Sequence, residues 1–159
     1  MIRSLIILLI PIAILVALFQ ARGGKDVSVI DPAPAIAEAV AAAAFPVGRP
    51  QGLPEQWRPV SAAFDRQAGG ATLRIGYLAA DDAGVQLIES SEALGPLTDR
   101  ELGERRLPAG SVTIGQRTWQ ILEVRDGERA LVWTGPNVTW IVVGQASVDQ
   151  LSVLANALR

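Results

Sequence analysis

Five carboxylates fall within the stretch 89–104: Glu89, Glu92, Asp99, Glu101 and Glu104. Two such groups separated by a suitable cleft can share the work of general acid and general base, as in glycoside hydrolysis. The chain offers few other candidates. With no His and no Cys it has no imidazole base, no Ser-His-Asp triad, no thiolate nucleophile and no zinc site built from either ligand. Any catalysis falls to Asp, Glu, Ser, Thr, Tyr, Arg or the sole Lys25. A plainer reading explains the same acids: interleaved with Arg100, Arg105 and Arg106, they form an amphipathic, solvated segment. That reading needs no cleft and takes precedence.

Other groupings are weaker. Asp81 and Asp82 supply two oxygen ligands but lack the spaced remainder of a calcium loop, so 81–84 reads as a solvated β-turn. Gly23-Gly24 and Gly69-Gly70 lack the strand–loop–helix context of a phosphate loop. Trp57, Trp119, Trp133 and Trp140 are able to line a ligand slot, but strand tryptophans in a domain this small read first as core. No residue is assigned a catalytic, cofactor-binding or metal-binding role.

The elements that position these residues follow from local pattern. Asp31 as N-cap and Pro32 at the first helical position open a helix through AIAEAVAAAA, which Phe45-Pro46 ends. Ile36, Val40 and Ala44 fall on one face, for docking or as a spacer above a bilayer. The stretch 46–59 is rich in Pro and Gly and leads into the domain, with Leu53 and Trp57 tucking in. Strands are expected over 58–64 and 71–80, flanking a turn at 65–70, and over 85–89. In the second, Leu73, Ile75 and Tyr77 alternate with Thr72, Arg74 and Gly76. Gly95-Pro96 interrupts the segment 91–103 and leaves a short helix over 97–102.

Strands 110–114 and 117–124 pair around Gly115, and Asp126-Gly127 signals the next hairpin. Strands 130–134 and 138–144 then pair across Gly135-Pro136-Asn137. The run Val138-Thr139-Trp140-Ile141-Val142-Val143 is apolar on both faces, which places it centrally with cover on each side. Ser147 and Gln150 form a capping box for a last helix whose stripe is Val148, Leu151, Leu154, Ala155 and Leu158. The fold class is α+β: an antiparallel sheet of about six or seven strands packed with helices, after an N-terminal transmembrane helix.

That first helix comes from LIILLIPIAILVALF at 5–19, where twelve of fifteen residues are Leu, Ile, Val or Phe. At roughly −0.3 to −0.6 kcal/mol each, insertion gains on the order of −5 kcal/mol, less a cost for Pro11. Extended over 2–21, the helix spans about 30 Å. Arg3 and Arg22 flank it. A cleavable signal peptide is the rival; only the frame Ala21-Arg22-Gly23 tolerates cleavage, so an uncleaved anchor is favoured. Charge counting leaves its orientation a tie.

The organisation read from this is anchor 1–22, juxtamembrane helix and Pro-rich linker 23–50, and one α/β domain 51–159. Residues 31–159 carry eleven Arg against fifteen Asp and Glu, a net of −4. Nucleic acid is therefore excluded as a partner, since phosphate backbones need a basic surface.

The chain resembles an actinobacterial membrane-anchored family of unknown function, domain of unknown function 4245. The likeness rests on the anchor, Asp31-Pro32-Ala33-Pro34, Gly52-Leu53-Pro54 with Trp57-Arg58-Pro59, and Gly76-Tyr77. Later come Gly115-Gln116-Arg117-Thr118-Trp119 and the ending VVGQASVDQLSVLANALR. The resemblance implies an extracytoplasmic C-terminal domain, and it brings no activity, cofactor or site residue. The layout also resembles the PsbP-like α/β sandwich.

The expectation is a non-enzymatic module tethered to membrane lipid by its N-terminal helix, binding an envelope protein or contributing to an envelope assembly. The alternatives are a carrier or sensor of a small apolar ligand or lipid, held between sheet and helix, and a carboxylate-only hydrolase. The hydrolase requires a cleft with two close acids, one with a strongly raised pKa.

Overall fold

The computed structural model describes residues 28–125 and 127–159. The expected anchor at 1–22 and Asp126 of the expected Asp126-Gly127 turn lie outside these residues. Among the described residues no helix is long and apolar enough to cross a membrane.

Seven strands form one antiparallel sheet: β1 Arg58–Gln67, β2 Gly70–Leu78, β3 Gly84–Ser90, β4 Leu107–Ile114, β5 Arg117–Glu123, β6 Arg129–Gly135 and β7 Val138–Gly144. Their order is β1-β2-β3-β7-β6-β5-β4. Two meanders run from opposite edges and meet where β3 pairs with β7. The two-faced apolar run at 138–143 is thus central as expected, and every residue of β7 is buried. Gln67 pairs with Gly70 and Gly135 with Val138, so both hairpins close more tightly than the glycine-rich sequences suggest. Asn137 adopts φ 59° in the second, a conformation Asn tolerates better than most residues.

Side-chain alternation sends β-strand residues to two cores. On one face Leu73, Ile75, Leu87, Leu131, Trp140 and Val142 pack with Ala39, Leu151 and Leu154. These last come from α1 (Ala33–Ala42) and from a terminal helix, Val148–Ala157. On the other face Ile88, Val132 and Ile141 meet Leu97 and Leu102 of α2 (Leu94–Leu102). The terminal helix, α3, opens with the expected capping box: Gln150 N–H donates to Ser147 Oγ at 3.2 Å, and Ser147 N–H to Gln150 Oε1 at 2.9 Å.

Two helices depart from expectation. α2 begins at Leu94, three residues before the expected start. Gly95 and Pro96 fall within its first turn, where a missing N–H costs nothing because that group has no intrahelical acceptor. α1 is capped at Pro32, with Asp31 Oδ1 accepting the Ala33 N–H at 2.9 Å. It buries Ala39 with Ala35 and Ile36 beside it, while Val40 is 42% exposed, so the expected Ile36–Val40–Ala44 stripe is rotated. The stretch beyond the helix supplies buried Phe45 and Trp57 to the same core.

Candidate functional site

The acidic stretch divides in two. Glu92, Asp99 and Glu101 are ion-paired, and Glu104 is exposed. Arg74 holds Glu101 through two hydrogen bonds, of 2.5 and 3.2 Å, and Asp65 through a third of 2.9 Å. Arg100 joins the chain, reaching Glu101 at 3.0 Å and Glu92 at 2.5 Å. Burial opposes ionisation of Glu101, but the two guanidinium groups outweigh it and hold its pKa below the usual range. Asp99 and Glu104 thus lie on a solvated face as expected, whereas the side chains of Glu92 and Glu101, 12% and 9% exposed, are largely covered by the ion-pair network.

Glu89 corrects the solvated reading. It is 0% exposed, on the sheet face that carries Val85 and Leu87. Gly48 N–H donates to its Oε2 at 2.6 Å. Trp140 stands opposite it in the β3–β7 register, and the indole favours the charged carboxylate. Even so, neither Glu89 Oε1 nor Trp140 Nε1 has a partner in hydrogen-bond geometry among the described residues. Burial dominates and pushes the Glu89 pKa up to about 8, against the Gly48 N–H and the Trp140 indole. Burial, with the Glu89 charge, also pushes Tyr77 on the same face up to about 12. The missed signal was strand parity, because alternation from Val85 through Leu87 sends Glu89 inward.

Phe45 to Arg49 runs across this buried acid. Gly48 lies so close to Trp140 that a Cβ would stand 2.7 Å from its Cζ2. Outside this segment lies an open cleft of about 700 Å3 at the end of α1, lined by Val40, Ala43, Ala44, Phe45, Val47 and Arg49.

The tryptophans are largely core. Trp119 is 0% exposed and Trp140 4%, and both neighbour the half-buried Trp133, with ring centroids 4.9–6.4 Å apart. Trp57 packs edge-on against Tyr77 at 6.3 Å. Arg117, which entered the sequence reading only as part of the run Gly115–Trp119, stacks over Trp133 at 5.3 Å and Trp140 at 4.7 Å. Asp81 and Asp82 remain turn residues: Asp81 Oδ1 accepts the Ala83 N–H and Asp82 pairs with Arg58 at 2.5 Å. Among the described residues no three Asp or Glu converge as metal ligands.

These features define an α+β domain of seven antiparallel strands among the described residues, with a buried carboxyl and an open cleft outside it. The chain belongs to the family described as protein of unknown function (DUF4245), whose model matches residues 1–158. No curated protein matches it.

Proposed function

We propose that this chain is a membrane-tethered, non-enzymatic domain on the extracytoplasmic side of the cell envelope, where it binds a protein partner. The cleft at the end of α1 carries this reading. Apolar side chains from Val40 to Val47 line it together with Arg49, Ser91 and Asn137, so apolar and polar groups share its wall. Such a mixture is usual in a protein-binding surface. The apolar run at 5–19 supports the tether.

The acids support a non-enzymatic role. Glu92 and Glu101 come together on Arg100, where their charges are neutralised. Glu89 has a raised pKa, and among the described residues the groups acting on it are Gly48 N–H and the Trp140 indole, not a second carboxylate. An apolar-ligand carrier has less support, since Leu73, Leu87, Leu131, Leu151 and Leu154 fill the space between sheet and helices at 0% exposure. The helices on both faces of the sheet favour the likeness to the PsbP-like sandwich.

Affinity isolation of the tagged full chain in mild detergent tests the proposal, with Val40→Asp and Ala44→Glu as comparisons. The expected result is a reproducible envelope protein whose recovery falls about tenfold or more in the variants. Recovery of the chain alone, or of the same protein at equal yield with both variants, would count against it.

A further inference from the structure

A second cleft, of about 410 Å3, lies between the β4–β5 turn at Gly115-Gln116 and the last turn of α3. Arg117, Asn156 and Arg159 line it, with no carboxylate side chain among its walls. The ion pairs among the described residues use Arg58, Arg74, Arg100, Arg106 and Arg125, and leave these two arginines out.

Both guanidinium groups are held in place. Arg117 stacks on Trp133 and Trp140 and donates from Nη1 to the Leu158 carbonyl at 3.2 Å. Arg159 donates from Nη1 to the Asn156 carbonyl at 3.0 Å. Its backbone exchanges two hydrogen bonds with that of Arg49, at 3.2 and 3.3 Å, which pins it at the cleft. A guanidinium has five N–H donors, so each of these contacts orients the group without exhausting it.

Two guanidinium groups at one cleft, each with N–H donors to spare, suit a bound anion. The fork geometry selects the class of anion, because planar guanidinium forks match the oxygens of a phosphate group. The side-chain amides of Gln116 and Asn156 add donors. We propose that this cleft binds a phosphate group, with Arg117 and Arg159 as its anchors. The group is either a free phosphate or the headgroup of a lipid; the second source rests on the membrane-tethered reading, whereas the site does not.

The test is a titration of the full chain in detergent micelles, read by tryptophan fluorescence, because Arg117 touches two indoles. Inorganic phosphate is compared with chloride at equal ionic strength, and with short-chain phosphatidic acid. The expected result is a saturable response to phosphate and not to chloride, weakened about tenfold or more in Arg159→Ala and Arg117→Lys. Tighter binding of phosphatidic acid assigns the lipid headgroup; equal or weaker binding assigns free phosphate; either supports the site. Identical responses to phosphate and chloride, or a phosphate affinity unchanged in Arg159→Ala, would overturn it. Arg159 is exposed, so that variant keeps the test decisive should Arg117→Lys fail to fold. Partner capture at the α1 cleft is independent of either outcome.

Discussion

Gly48 donates its backbone N–H to Glu89 Oε2 at 2.6 Å, joining two residues 41 positions apart beneath the wall of the α1 cleft. The bond needs both a missing side chain and a buried acid. Gly48 reaches the carboxyl because it has no Cβ to meet Trp140. Glu89 receives it in a region that penalises its charge. The Phe45–Arg49 segment is thereby fastened to the sheet at a point that titrates.

Stability should decline as pH rises through the titration of Glu89. A glutamate ordinarily titrates at 4.5, and burial moves Glu89 to about 8. Between these values the folded chain keeps a proton that the unfolded chain has released, so raising the pH favours unfolding. The contribution is fully present below the ordinary value and lost as pH passes the raised one. Glu89→Gln retains an oxygen for the Gly48 N–H but cannot ionise, so it should flatten the decline and be the more stable form at about pH 9. Urea midpoints of both proteins across this window check it, and parallel pH profiles would refute it.

Gly48→Ala should destabilise the fold by about 1–3 kcal/mol, because the added carbon has to displace the Trp140 ring or the segment itself. Thermal unfolding followed by tryptophan emission reports both the loss and the disturbed indole. An unchanged midpoint with unchanged emission would mean that the segment sits further from the sheet.

Glu101→Gln should cost about 1.5–3 kcal/mol at neutral pH, the usual worth of hydrogen bonds to a charged group. The Glu101 side chain is 9% exposed and serves both Arg74 and Arg100, so solvent screens it little. Its pKa is lowered, so its contribution is present above the ordinary carboxylate value and fades as pH falls through the lowered one. The gap between variant and wild type should therefore close in acid. Denaturant unfolding at neutral and acid pH measures it; a gap independent of pH would assign the loss to packing instead.

The sequence by itself determined the elements whose signals are local. Ser147 and Gln150 lie three residues apart and cap α3 with their own backbone, so the pair is legible without the rest of the chain. The two-faced apolar run of β7 requires a central strand, whatever covers it. Asp81 and Asp82 form a turn because their contacts include one two residues away.

The tertiary structure alone decided matters that depend on distant neighbours. Only strand order brings β3 beside β7, which sets Glu89 against Trp140 and converts an acid grouped with solvated ones into a buried one. Which face α1 buries depends on the sheet it lies upon, and it is Ala39 that is buried while Val40 is exposed. Arg117 and Arg159 are 42 positions apart and share a cleft because the end of α3 returns to the β4–β5 turn. Propensity and capping act over a turn or two of chain, whereas burial and electrostatic environment are set by whatever folding brings alongside.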